Sequence, residues 1–401
     1  MIRQKTDYDA IVVGCGPAGA WASKKMSEAG LSVYCIDKRS ELGAPVRCGE
    51  GLAAGWFDKF GIEPSRKITA KEIFGYRAIA PNGKDIILKD PKRRSLGGYV
   101  LERKMFDKHI GILASRAGAL IDAKTMCTGL IMKNSQVKGI KAEHQGESFE
   151  LTSKIVVAAD GVDSKVARYA GLNTVNKLAD IDSGAEYEMS NIQIKDPELI
   201  EFYFGNKIAP GGYMWVFPKD NDVANVGIGT RANLGGSAVK LLNDFVQSRP
   251  ELKDGSIVEV KGGGVPVGGV CDRFTTDGLM LVGDAAHQVN PIHGGGIGLG
   301  MGSAEIMARV AAEAIKRNDY SDQFLSRYKR DWDAEYGAWI RKLLKLRMFQ
   351  EKLTDEQVNM LSGILSGEDL FDLSAGNYLK LAKFMVLRAP QIGRLAMSLL
   401  I

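Results

Sequence analysis

Apolar residues first gather at positions 8–14, where Tyr-Asp-Ala-Ile-Val-Val-Gly reads as a short strand. They gather again at 31–36, a run that Asp37 closes. Between the two, residues 21–29 have helical composition. Downstream, 73–80 and 86–88 flank a Pro81-Asn82-Gly83 turn and predict a hairpin. Residues 99–116 begin as a strand and become a helix. Residues 125–157 read as strand, turn, strand, strand, ending in Ile155-Val156-Val157-Ala158-Ala159 before Asp160-Gly161. From about 180 to 262 the pattern changes to several strands, at 185–194, 200–204, 213–218 and 223–229, with a helix at 238–247. Leu279-Met280-Leu281-Val282-Gly283 is again a buried strand, and a glycine-rich stretch then opens a helix through about 316. The remainder, 321–401, is mostly helical.

The first strand runs into Gly14, Gly16 and Gly19, a G-x-G-x-x-G array. Strand, tight turn, helix, strand, acid is the order of a dinucleotide-binding unit. Gly14 permits the turn, Gly16 lets backbone approach a pyrophosphate, and Gly19 lets helix pack on strand. The helix N-terminus offers unpaired N–H groups to an anion. Asp37 can accept hydrogen bonds from ribose hydroxyls. The predicted fold class is therefore α/β plus α+β. A Rossmann-type domain is assembled from 1–70, 98–178 and 263–320. An antiparallel-sheet domain from 71–97 and 179–262 is inserted in it, and 321–401 forms a helical C-terminal region.

A chain of 401 residues has room for two or three domains. Its 53 basic and 48 acidic residues leave +5, too mild a charge to argue for nucleic acid. Five scattered cysteines without a C-x-x-C pair argue against a zinc site or disulfide framework and fit a reducing cytosol. No metal-ligand set is read. The N-terminus runs straight into the first strand, with no signal peptide expected, and no apolar stretch reaches the roughly 18 residues of a spanning helix.

Two further fingerprints follow the first. One is Asp160-Gly161-Val162-Asp163-Ser164-Lys165-Val166-Ala167-Arg168; the other is Gly283-Asp284-Ala285-Ala286-His287 with Pro291 and Gly294-Gly295-Gly296-Ile297-Gly298. With the N-terminal array, these resemble the motifs of the FAD-dependent p-hydroxybenzoate-hydroxylase-like superfamily across residues 5–315. Pro210-Gly211-Gly212-Tyr213-Met214-Trp215-Val216-Phe217-Pro218 fits P-x-x-Y-x-W-x-F-P in full. Pro45-Val46-Arg47-Cys48-Gly49-Glu50-Gly51 is similar to a loop that lies against the flavin. These two stretches resemble the geranylgeranyl reductases, and more narrowly the archaeal enzymes that saturate digeranylgeranylglycerophospholipids.

The resemblance implies FAD contacts at Gly14, Gly16, Ala18, Gly19, Asp37, Cys48, Gly49, Gly51, Arg103, Cys127, Asp284, Gly295, Gly296 and Ile297. Asp284 would bind the ribityl chain, and the Gly295–Gly298 turn would put a helix N-terminus near the flavin pyrimidine, where it would stabilise negative charge. The residues themselves also allow plainer roles: a structural acid at Asp284, an i, i+4 helix-surface pair of Arg103 with Asp107, and a small buried side chain at Cys127. Tyr213, Trp215 and Phe217 alternate and so share a face of their strand. They would wall a tunnel for an isoprenoid chain, or form ordinary sheet core.

An isolated trisubstituted alkene has no carbonyl to take up charge. Protonation to a cation-like carbon with hydride from reduced flavin is the expected chemistry, so a proton donor near the ring is needed. Cys48 is the first choice; its alternative role is packing or gating. His287 and His293 also fall near the predicted ring. Two other readings stay open on the same fold, an aromatic monooxygenase and a non-catalytic FAD-stabilised prenyl-lipid carrier. The electron donor is external: NAD(P)H, ferredoxin or a deazaflavin, the ferredoxin case making a partner protein. Residues 339–352 are basic and amphipathic, and Lys380, Lys383, Arg388 and Arg394 recur without acids in the tail. These predict a cytoplasmic protein with peripheral contact to an anionic membrane, or helices packed on the body with charges in water.

Overall fold

A computed structural model describes residues 6–377. Its larger sheet follows the order Thr275–Thr276, Leu279–Leu281, Glu147–Ala158, Asp7–Val13, Val33–Ile36, Leu120–Asp122. The central ladders are parallel. Such strands are covered on both faces and therefore read as unbroken apolar runs. Every residue of Val33–Ile36 is buried, as are Ala10 to Val13. Gln136–His144 pairs antiparallel with Glu147–Ala158, and Thr125–Lys133 pairs antiparallel with Gln136–His144 in turn.

The first helix, Pro17–Glu28, starts on the proline, whose missing N–H has no intrahelical partner to lose at that position. It buries Ala20, Trp21, Ala22 and Met26 and packs against Ile297–Arg317 and Arg103–Arg116. Close approach is enforced by small residues. A Cβ on Gly19 would lie 1.9 Å from the Gly14 carbonyl oxygen, and one on Gly283 would lie 2.8 Å from Ala18 Cβ.

The second sheet has seven strands in the order Ser256–Pro266, Ile181–Ser190, Val223–Arg231, Tyr213–Pro218, Leu199–Tyr203, Gly75–Ile79, Asp85–Lys89. It is antiparallel except where Leu199–Tyr203 runs parallel to Gly75–Ile79. Two expected domain boundaries fall inside strands. Thr69–Ile73 crosses 70/71 and belongs to a small third sheet with Gly98–Leu101 and Gly51–Ala53. Ser256–Pro266 crosses 262/263. The Gly262-Gly263-Gly264 run looks like a break, but these glycines lie within the ladder with Ile181–Ser190. A Cβ on Gly264 would come within 2.7 Å of Ile181 Cδ1.

The C-terminal helices Ala338–Gln350, Asp355–Ile364 and Gly367–Ser374 lie over the second sheet's aromatic face. Ala338–Gln350 turns Ile340, Leu343, Leu346 and Phe349 inward and leaves Arg341, Lys342, Lys345 and Met348 outside. Arg347 also turns inward, donating to the Val267 carbonyl at 2.7 Å. Buried Arg231 reaches Glu351 at 2.5 Å and ties sheet to helix. The tail cations Lys380, Lys383, Arg388 and Arg394 lie outside the described residues. No helix among the described residues is long and apolar enough to cross a membrane.

Candidate active site

One cavity of about 1680 Å³ runs from the carboxyl ends of the parallel strands, under the 45–51 loop, to the space between the second sheet and the C-terminal helices. Ordinary small-molecule pockets measure roughly 300–1,000 Å³, so this one has room for two ligands end to end. All the residues named above as flavin or chain contacts line it.

At one end the glycine turn behaves as its spacing predicts. Gly14 has φ +102°, and a Cβ there would lie 2.2 Å from the Ala159 carbonyl oxygen. Gly16 faces open space, with nothing within 4 Å of an added Cβ. Asp37 is buried and accepts from Cys15 N–H at 2.9 Å. Arg39 grips the same carboxylate through Nε and Nη2, both at 2.9 Å. Burial opposes ionisation of Asp37, but Arg39 and the N–H donors outweigh it and hold the carboxyl below its ordinary range. Asp160 of the second fingerprint is a helix cap: it accepts from Ser164 Oγ and the N–H groups of Lys165 and Val166.

Asp284 stands where the Leu279–Leu281 strand gives way to a short turn, beside the glycines that open Ile297–Arg317. A Cβ on Gly296 would lie 2.9 Å from its Oδ1. No described residue donates to this carboxylate, and burial pushes its pKa up while Arg103 pulls it down. Arg103 bonds Asp107 through Nε at 2.6 Å. The pair is not the surface pair that i, i+4 spacing suggests, because Asp107 is 2% exposed and Arg103 lines the cavity. Cys127 donates to the Gly129 carbonyl, and burial pushes its thiol up to about 12.

A glycine turn opening a helix whose first N–H groups can donate, a carboxylate facing the cavity without a donor, and a second helix N-terminus at the glycine stretch together fit a dinucleotide carrying a polyhydroxylated linker. Gly16 leaves space for its phosphates.

At the other end Tyr213, Trp215 and Phe217 line the cavity from one face of their strand, with neighbouring centroids 5.8 and 6.1 Å apart. Phe202, on the adjoining strand, meets Tyr213 and Phe217 edge-on. Trp215 Nε1–H donates to Glu186 at 2.9 Å. Cys48 and Gly49 sit between the two ends. A Cβ on Gly49 would lie 3.3 Å from Trp215 Nε1 and 3.4 Å from Glu186 Oε2. The Cys48 sulfur accepts from Glu50 N–H at 3.2 Å, and burial pushes its thiol pKa up against the pull of Arg103.

The two histidines part company. His293 lines the cavity, where desolvation pushes it down to about 4, and its Nδ1 accepts from Gly295 N–H. His287 is buried with Nε2 on the Thr174 carbonyl and does not line the cavity. The motifs gave no sign of Arg39 or of the buried charges Glu186, Lys219 and Lys261, and they included Glu50 without giving it a role. One signal was available: Glu186 and Glu188 alternate with apolar residues on a strand, which puts two acids on one sheet face.

This fold and donor set define a dinucleotide-binding flavoprotein. A family model described as FAD binding domain matches residues 7–222 and 257–335. A second, described as geranylgeranyl reductase catalytic domain, matches 180–265. A digeranylgeranylglycerophospholipid reductase of Methanocella arvoryzae is 41% identical over 390 residues, covering 97% of this chain and 98% of that protein. A protein of the same description from Methanocaldococcus jannaschii is 40% identical over 383 residues, covering 94% and 96%. The crystal structure of a geranylgeranyl bacteriochlorophyll reductase-like protein from Thermoplasma acidophilum superposes with a TM-score of 0.90 at 36% identity, covering 98% and 99%. The chain belongs to the digeranylgeranylglycerophospholipid reductase family and is an FAD-dependent oxidoreductase.

Proposed function

We propose that this protein saturates the carbon–carbon double bonds of geranylgeranyl chains in digeranylgeranylglycerophospholipids, a step in making isoprenoid membrane lipids. The supporting observation is the single cavity that joins the glycine turn and Asp284 to the aromatic face of Tyr213–Pro218. Bound FAD supplies the hydride. In this reading Gly14, Gly16, Ala18 and Gly19 seat the pyrophosphate, Asp37 the ribose, Asp284 the ribityl hydroxyls, and Gly295, Gly296 and Ile297 the pyrimidine. Arg103 and Cys127 complete the cofactor's surroundings. The second sheet acts as the substrate unit, with Tyr213, Trp215 and Phe217 walling the chain and excluding water from it.

Cys48 donates the proton, from Sγ to the alkene carbon. A raised thiol pKa suits this role, because a general acid has to hold its proton until the reaction. Electrons arrive from an external donor, NAD(P)H, ferredoxin or a deazaflavin. The protein is cytoplasmic and meets anionic membrane from the inner side, through the basic face of Ala338–Gln350.

The test is mass spectrometry of a prenylated glycerolipid incubated with dithionite-reduced protein, which is expected to show H2 added across double bonds. Cys48→Ala is expected to cut alkene reduction by about 10²-fold or more while dithionite still reduces the flavin. An unaltered lipid mass sinks the reductase reading; undiminished turnover in the variant removes only Cys48.

A further inference from the structure

The loop that carries Cys48 holds a glutamate where its backbone calls for glycine. Glu50 has φ +74°, although Gly49 and Gly51 stand on either side. A non-glycine residue held in a sparsely populated conformation costs of order 1–3 kcal/mol and persists only where its surroundings over-determine it. Glu50 is 2% exposed, so its carboxylate has also given up water.

The surroundings replace that water in full. Oε1 accepts from Arg103 N–H at 3.2 Å, at the start of Arg103–Arg116, where free N–H groups favour an anion. Oε2 accepts from Asn225 Nδ2 and lies 3.3 Å from Lys261 Nζ and 3.2 Å from Lys219 Nζ. Lys261 also donates to Asn225 Oδ1 at 3.0 Å, which fixes the direction of the amide. The main chain joins in: Leu101 N–H donates to the Glu50 carbonyl at 2.8 Å, and Glu50 N–H donates to Cys48 Sγ at 3.2 Å. One carboxylate thus fastens the loop to a helix N-terminus and to two strands of the second sheet.

We propose that Glu50 is a positioning residue, whose carboxylate locks the 45–51 loop so that Cys48 and Gly49 are held at the cavity wall beside Trp215. This rests on the reading of Cys48 and that wall as the place of reaction. A loop closed only by its glycines has many conformations, whereas this one has its backbone and side chain fixed from two domains at once. The carboxylate acts at a distance from the alkene, through the loop it holds.

The experiment uses the FAD-loaded full chain. Glu50→Gly suits the backbone angle and removes only the carboxylate's bonds. It is expected to keep its flavin spectrum and a single unfolding transition, at a lowered midpoint because Lys219 and Lys261 lose a buried counter-charge. Iodoacetamide labelling, read by peptide mass spectrometry, is expected to modify Cys48 about tenfold faster than in the parent protein as the loop opens locally, with Cys127 as internal reference. With dithionite as donor, kcat for a prenylated glycerolipid is expected to fall by about 10²-fold, with KM unchanged. Glu259→Gln, removing an exposed carboxylate 3.6 Å from Lys261, is expected to change neither readout. If Glu50→Gly does not fold, Glu50→Gln keeps the volume and carries the same expectations. Unchanged Cys48 labelling in a folded variant overturns the proposal. Full turnover in Cys48→Ala would instead remove the proton-donor reading and leave the labelling result to judge Glu50.

Discussion

Two glycines three positions apart do different work. Gly19 has no room: an added Cβ meets the Gly14 carbonyl oxygen at 1.9 Å and Ala159 Cβ at 2.9 Å, and backbone cannot swing aside as a flexible side chain would. Gly16 has room in the protein but faces the cavity. Gly19→Ala is therefore expected to lower both the unfolding midpoint and FAD occupancy. Gly16→Ala is expected to leave the apoprotein's urea midpoint in place while weakening FAD binding by about tenfold, or ~1.4 kcal/mol. Paired urea and flavin titrations check both. These positions were legible in the sequence because what a glycine turn needs is steric and local. Asp284 was singled out through its resemblance to a known motif, not through any steric need of the turn. Glu50 and its partners were not, because Asn225 and Lys261 lie 175 and 211 positions away and no local pattern encodes their meeting.

At the scale of an element, the strand Ile181–Ser190 brings ionisable groups into the second sheet. Burial pushes Glu186 up to about 8, against the pull of Lys261 and with help from Glu50. Burial pushes Asp182 up to about 6, against Arg231 and Arg347. An acid raised on folding binds more protons in the native state than in the unfolded one, so stability is full below the unfolded pKa and is lost as pH climbs through the folded value. The window is the ordinary carboxylate range up to about 8 for Glu186 and up to about 6 for Asp182. The unfolding midpoint is expected to fall between pH 5 and pH 8, and Glu186→Gln is expected to flatten the upper part of that fall. Thermal unfolding across that range decides it; a parallel slope in the variant would refute the assignment. The aromatic strand Tyr213–Pro218 was readable from its alternation. The edge strand Ser256–Pro266, which pairs with Ile181–Ser190, was not, because three consecutive glycines resemble a loop until a facing strand is seen to need their small size.

Over the whole molecule, the helix Ala338–Gln350 shows how far an amphipathic pattern can be trusted. Its apolar side is occupied by the protein's own interior, so any bilayer contact made by this helix falls to Arg341, Lys342 and Lys345 with exposed Met348. Such contact is electrostatic and sensitive to salt. Flotation with anionic liposomes is expected at low salt and lost at high salt; no flotation at low salt would end the membrane reading. The division into a nucleotide unit, a sheet unit and a helical region was visible in the order of patterns along the chain. The way those parts enclose one continuous space was not, since enclosure depends on the helices folding back over the sheet.

That space has a consequence for the order of events. A polyprenyl chain carries its double bonds at regular intervals, but in the proposed binding mode only one stretch of it would pass Cys48 and the nucleotide end. Successive bonds can be reached only if the lipid advances by an isoprene unit between turnovers. On the proposed reading, rings such as Tyr213, Trp215 and Phe217 would give a smooth track for that sliding, with few polar catches to hold the chain in one register.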